Sequence, residues 1–187
     1  MKELLHTPIF NVVELDEVEK GFKPIGVDAP DWVTVIVEKG GKFLVVEQVR
    51  FGTMKKTVEF PSGTVEKDED DKTAAARELF EETGIIVGPD KLDGILVCSP
   101  NPAFMMNKKF IYYVNLDKTN YTQTEQHLDK HEHITFKWVD KYVLMDNFCN
   151  PWIDGGGKPA MFATALFAYW NYKGLFNKLK GMKECLM

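Results

Sequence analysis

The chain has 187 residues, 44% of them apolar and 27% charged, with a formal net charge of −5. That length suits one domain with a sizeable core, and the acidic balance excludes a general nucleic-acid binder, which needs a basic surface. The three cysteines, Cys98, Cys149 and Cys185, are odd in number and widely spaced, with no CxxC. They point to a reducing cytoplasm rather than a disulfide scaffold, and the lack of a long apolar run argues against a secretory leader or a membrane association.

Residues 9 to 27 read as one or two strands, IFNVVEL and KPIGV. Residues 1–30 are thus expected to form a β arm or small sheet, a candidate dimerising element, ahead of a main domain over 31–187. Ala29-Pro30-Asp31 separates the two. VTVIV and FLVVEQV then form β-branched runs joined by Lys39-Gly40-Gly41-Lys42, a hairpin signal. TVEF precedes Pro61-Ser62-Gly63 and an acidic loop. The next segment predicts a helix from about Asp71 to Thr83, with Asp70 or Asp71 as its N-cap and Gly84 in the left-handed position that ends it. ILVCS and FIYYVNL are further strands. HITFKWV alternates Ile134, Phe136 and Trp138 on one face, as a half-buried strand does. Val139 to Asn147 fits a short helix, and AMFATALFAYWNYKGLF, after Pro159, a terminal one with a wide apolar face. The sum is a mixed α/β (α+β) arrangement dominated by strands.

The central helix carries RELFEETG, residues 77–84, with Arg77 as the one cation among Glu78, Glu81 and Glu82. At ~100° per residue, Glu82 falls near 40° and Glu81 near −60° from Glu78. Ala75, Ala76, Leu79, Phe80 and Thr83 share another sector. The helix is therefore expected to have an apolar face for the sheet and an opposite face of three carboxylates. Arg77 can pair with Glu81 at i,i+4, which leaves Glu78 and Glu82 without an obvious partner. A solvated acidic face would mix lysines among the acids, yet none lies between Thr73 and Gly84. Carboxylate oxygens in this density suit Mg²⁺ or Mn²⁺.

From Gly63 the chain reads GTVEKDEDDKTAAARELFEETGI. This resembles the Nudix hydrolase signature. Gly63, Glu69, Arg77, Glu78, Leu79, Glu81, Glu82, Gly84 and Ile85 fill its nine defined positions across twenty-three residues, about an eighth of the chain. The resemblance implies an α/β/α sandwich around a mixed sheet and metal-dependent hydrolysis of a nucleoside diphosphate linked to another moiety. It also implies Glu78 and Glu82 as the main metal ligands, with the carbonyl of Ser62 as another. Glu81 would be a further ligand, or a base acting through water, held by Arg77. Glu69 would have a structural or secondary part. Gly63, with no Cβ, lets the loop backbone approach the metal.

Within the family the chain is similar to the ADP-ribose pyrophosphatase group. EQVR ends a strand before the box, and the resemblance makes Arg50 a phosphate contact. VEFPSG resembles the group's approach to the box, and Pro100 stands where that group has a proline. The group's usual Ser-Pro-Gly and nearby acid are replaced here by SPNPAFMMNKKF. Asn107 is a candidate contact to sugar or base there, with a turn role as the plainer alternative. DKHEH, residues 129–133, precedes the last strand and offers Glu132 as a catalytic base, with Glu125 as alternative. His131 and His133 share a strand face but have no partner at zinc-ligand spacing. Gly155-Gly156-Gly157-Lys158 is not a phosphate-cradling loop, because Pro159 occupies the Ser/Thr position. Phe10, Phe22 and Trp32 are candidates to stack on a base. The expected protein is a homodimeric, Mg²⁺-dependent hydrolase of ADP-ribose or another nucleotide sugar, with no nucleic-acid partner. Another nucleoside diphosphate derivative, a nucleotide-sensing module and the isomerase branch of the fold, with Cys98 in the pocket, are the alternatives.

Overall fold

The computed structural model describes residues 1–149 and 159–175. The loop read at Gly155–Lys158 and Cys185 lie outside them. Three strands come first. β1 (Lys2–His6), β2 (Asn11–Glu14) and β3 (Ile25–Asp28) make an antiparallel sheet of their own, in that order. The expected β arm over 1–30 is there, but the strands expected within it start only at residue 9 and do not include β1. All five β1 residues are exposed, so no half-buried alternation marks it.

β4 (Trp32–Lys39), β5 (Lys42–Arg50), β6 (Lys55–Glu59) and β7 (Ser62–Thr64) lead into α1 (Asp71–Thr83). After it come β8 (Ile85–Ile86), β9 (Asp93–Cys98), β10 (Lys109–Asn115), β11 (Thr122–Gln123) and β12 (Thr135–Asp140). α2 (Lys141–Cys149) and α3 (Ala160–Tyr172) complete the described elements. The main sheet has seven strands in the order β12-β5-β4-β10-β9, with β6 on β5 and β7 on β4. β10 runs parallel to β4, while its other neighbour and the remaining pairs are antiparallel. The sheet is therefore mixed, as expected.

β4 explains the layering. Successive side chains of a strand point to opposite faces, and both faces of β4 are covered, which is why it reads as an almost unbroken apolar run. Val33, Val35 and Val37 pack with Ala74, Ala75 and Leu79 of α1. Ile36 packs on the other side with Phe43, Phe60, Phe162 and Leu166, the last two from α3. The product is an α/β/α sandwich.

Two local features position the site. β4 and β5 pair only beside their turn, Glu38 with Phe43 and Lys39 with Lys42. Farther along, β7 takes over the edge of β4, Trp32 to Thr64, Val33 to Gly63 and Thr34 to Ser62, while β5 runs on with β6 and β12. A gap opens where the strands part. Beside it, α1 is fixed at both ends by its own sequence. The Asp70 carboxylate accepts from the Lys72 and Thr73 amides, each at 3.0 Å. Gly84 closes the helix at φ 71°, and a Cβ there would also collide with the Thr124 carbonyl oxygen, so glycine is required twice over.

Candidate active site

The carboxylates of α1 are not arrayed on a face opposite the apolar one. Glu82 is 3% exposed, buried with Ala74, Ala75 and Leu79. Its position at the border of the apolar sector lets it turn under the helix toward β7, where the Ser62 amide donates to Oε2 at 3.0 Å. That bond gives the buried carboxylate one partner. Glu78 takes the neighbouring place, its carboxyl group lying where a Cβ of residue 63 would stand. Gly63 is thus explained by close approach of a side chain to its backbone.

Arg77 binds more than Glu81. Its Nη1 donates to Glu78 Oε1 and to Glu81 Oε2, both at 2.9 Å. Its Nε and Nη2 donate to Glu69, and Nη2 also reaches the Thr64 carbonyl at 2.8 Å. Glu78 therefore has a partner that helical spacing did not suggest, and Glu69 sits on the same guanidinium. Burial alone would loosen the Arg77 proton, but Glu69, Glu78 and Glu81 together hold it more firmly than usual.

Charge is only partly balanced here. Burial pushes the Glu78 carboxyl up, opposed by Arg77 and reinforced by Glu81 and Glu132. Burial pushes Glu82 well above the ordinary carboxylate range. The Ser62 amide opposes this, and the charges of Glu78 and Glu132 add to it. Glu132 is itself exposed, with Oε2 accepting from the Asp129 amide at 3.1 Å. Its charge is felt at Arg50, Glu78 and Glu82 alike, so its loop faces this site. Glu125 is exposed too, and its backbone carbonyl packs near Gly84.

A cleft of about 480 Å³ opens where β4 and β5 part. Trp32, Arg50, Glu59, Ser62, Gly63 and Lys109 line it, and Met161 of α3 closes one side. Arg50 is engaged by Glu59 through two bonds, Nε to Oε1 at 2.8 Å and Nη2 to Oε2 at 2.7 Å. Thr57 donates to Glu59 Oε1 at 2.6 Å. Neither Pro100 nor Asn107 is among the described residues that line the cleft. Asn107 is 4% exposed and donates Nδ2 to the Pro30 carbonyl at 2.9 Å, bracing the entry to β4. Lys109 and Met161 were not read as cleft residues. The signal for Lys109 was available: it stands in phase with Ile111 and Tyr113, at a strand position where an apolar residue belongs.

The NUDIX domain family model matches residues 28–148. The chain belongs to the Nudix family. A Caenorhabditis elegans protein described as a nudix hydrolase is 31% identical over 134 residues, 68% of this chain and 59% of its own length. Phosphatase NudJ of Escherichia coli K12 is 49% identical over 57 residues, 30% of this chain and 36% of its own. A Streptomyces ambofaciens MutT-like protein is 41% identical over 61 residues, 33% of this chain and 37% of its own. The chain thus spans less than two thirds of these relatives' lengths. The crystal structure of an ADP compounds hydrolase aligns at a TM-score of 0.74 with 19% identity, covering 93% of this chain and 92% of that one. At that identity the likeness is one of fold.

The donors of the Nudix box fit a hard divalent cation. Carboxylate and carbonyl oxygens are what Mg²⁺ and Mn²⁺ prefer, and two half-balanced buried carboxylates gain from a cation between them. Glu78, Glu81, Glu82 and the Ser62 carbonyl would hold it. Among the described residues no three His, Cys, Asp or Glu side chains stand together as a ready ligand set. Arg77 draws Glu78 and Glu81 toward itself, and Glu82 faces the Ser62 amide. One oxygen of each, Glu78 Oε2, Glu81 Oε1 and Glu82 Oε1, carries no hydrogen bond among the described residues.

Proposed function

We propose that the chain is a divalent-metal-dependent phosphoanhydride hydrolase of the Nudix type. It would cleave the diphosphate of ADP-ribose or a related nucleoside diphosphate sugar to a nucleoside monophosphate and a sugar phosphate. The observation that carries the reading is Glu82, a carboxylate buried beside Glu78 and bonded to the amide of Ser62, which lines a cleft large enough for a nucleotide moiety. No cation pairs with it among the described residues, and its pKa is pushed up by burial. A buried carboxylate in that condition opposes folding unless a cation joins it. Mg²⁺ or Mn²⁺ bound there lowers the pKa of a coordinated water and offsets charge on phosphoryl oxygens.

The chain's own residues have distinct parts in this reading. Glu78 and Glu82, with the Ser62 carbonyl, hold the ion. Arg77 fixes the orientation of Glu78 and Glu81 from behind. Glu132 is the base that takes the proton from the attacking water, supported by its influence on both box carboxylates. Glu81 is the alternative base. The ADP-containing substrate is supported by the shared fold with an ADP compounds hydrolase and by Trp32, whose ring lines the cleft and offers a stacking surface.

The test is direct. Full-length protein is incubated with ADP-ribose, other nucleotide sugars, dinucleoside polyphosphates and coenzymes, with Mg²⁺, with Mn²⁺ and with chelator, and the products are identified by mass. Metal-dependent release of AMP and ribose 5-phosphate is expected. Preference for a dinucleoside polyphosphate or coenzyme moves the substrate, and binding without turnover replaces the enzyme by a sensor.

A homodimer in the cytoplasm belongs to the same reading. Its support is the exposed apolar surface of the β1–β3 sheet and its connections, including Leu4, Leu5, Phe10, Phe22 and Ile25, a patch that soluble monomers seldom leave bare. Light scattering at twice the monomer mass is expected, and a monomer at micromolar concentration removes this part.

A further inference from the structure

Among the described residues two cations line the cleft, and they are not equivalent. Arg50 spends two of its donors on Glu59, whose carboxylate Thr57 steadies from the far side. That pair is close to neutral as a unit. Lys109 has no such arrangement. It is 6% exposed, and no hydrogen-bond acceptor reaches its ammonium among the described residues. The Trp32 ring centroid lies 5.8 Å away, while Glu59, Cys98 and Glu82 act on it only through space. Behind it a hollow of about 10 Å³, bounded by Thr34, Phe60 and Phe162, has room for about one water.

Its position makes this more pointed. Lys109 opens β10, opposite Trp32 on β4 and Cys98 on β9. The next side chains on its face, Ile111 and Tyr113, are buried in the α3-side core. A fold that sets an ammonium at a core position, open only to a cleft, leaves a buried charge that an incoming anion would satisfy. Burial lowers its pKa to about 8, which keeps most of it charged at neutral pH. Ser62 and Gly63 line the same cleft, and Glu82 and Glu78 lie directly against these two residues.

We propose that Lys109, rather than Arg50, is the residue that grips a non-bridging phosphate oxygen of the substrate diphosphate. The inference rests on the diphosphate chemistry proposed above and adds a binding residue to it. A phosphate matches the vacancy better than a neutral sugar hydroxyl, because only an anion compensates the buried charge as well as accepting its hydrogen bond.

The experiment uses methylenediphosphonate, which the enzyme cannot hydrolyse, titrated calorimetrically into the full chain with Mg²⁺. Wild-type protein is expected to bind. Lys109→Met should weaken binding about ten- to a hundredfold, the range for a hydrogen bond to a charged group, while Lys109→Arg keeps most of it. Lys109→Gln serves if the Met variant does not fold. With whichever substrate the panel identifies, the same loss should fall on KM more than on kcat. Diphosphonate binding unchanged in Lys109→Met and Lys109→Gln, or absent from wild type, overturns the proposal even if ADP-ribose is cleaved. Lys109-dependent binding without ADP-ribose cleavage sinks the substrate reading and leaves this one standing.

Discussion

The molecule buries carboxylates at both ends of β4, and it treats them in opposite ways. Glu38, 6% exposed near the C-terminal end of the strand, accepts from Tyr113 at 2.7 Å, Tyr169 at 3.1 Å and Lys141 at 2.8 Å. Lys173 stands 3.4 Å from its second oxygen. Burial would raise its pKa, but those donors and cations outweigh burial and bring it down to about 2. Glu82, near the other end, has one amide and a raised pKa. Burial is common to both, so burial does not distinguish them. What differs is whether the fold completes the shell of partners. A completed shell makes a brace between α2, α3 and the sheet, whereas an incomplete one stores a demand for something from outside.

This contrast can be broken by experiment. The largest effect belongs to Glu82→Gln, which keeps shape and the bond from Ser62 while removing the charge. Steady-state turnover is expected to fall by about 10²–10³-fold, the loss seen when one preorganised electrostatic contact is removed from an active site. Next comes Glu38→Gln, which strands Lys141 and Lys173. It should lower unfolding free energy by about 3 kcal/mol, the low end for a broken buried pair because both lysines retain some access to water. Urea titration measures it.

The smallest effect is the most diagnostic. In chelator at pH 7, Glu82→Gln should be more stable than wild type by about 1–2 kcal/mol, as functional sites often are when disarmed. Acid reverses the two carboxylates' contributions in opposite directions. Glu38 titrates lower folded than unfolded, so its stabilisation is present above the ordinary 4.5 and is lost as pH falls toward 2. Glu82 titrates higher folded than unfolded. Its charged form therefore opposes folding, and that opposition is absent in acid and grows as pH rises from 4.5 through its raised value. Wild type and Glu82→Gln should accordingly converge in stability as pH drops, whereas wild type and Glu38→Gln should converge only near pH 2. If Glu82→Gln is less stable in chelator at neutral pH, the claim of an unmet charge is wrong.

The sequence made some of this legible and not the rest, for physical reasons. The box helix could be read to the residue because its start and stop signals are local: Asp70 caps the amides of Lys72 and Thr73, and Gly84 supplies the left-handed turn. The β-branched runs of β4 and β5 were local too. Glu82's burial was not, since it depends on an amide twenty residues earlier in β7. Arg50's engagement was hidden for a similar reason. The β5–β6 register sets Glu59 opposite Val46, four residues from Arg50 along β5, so strand pairing alone does not suggest the contact. Asn107 looked like a ligand contact because a polar residue in a loop usually faces outward, yet here it is drawn inward by the Pro30 carbonyl. Lys109 shares a strand face with Ile111 and Tyr113, which the sequence shows, but only the folded arrangement opens that position onto a cleft.

The brace at Glu38 also has a reach beyond its own neighbourhood. α3 is fastened to it near its C-terminal end through Tyr169 and Lys173, while Pro159 and Met161 at its other end overhang the cleft. A helix of that length spans about 20 Å, so it carries the position of the brace to the edge of the cleft. A tilt of about 3° about the braced end would move its tip roughly 1 Å across the opening. The width of the opening is therefore sensitive to fastenings that do not line it.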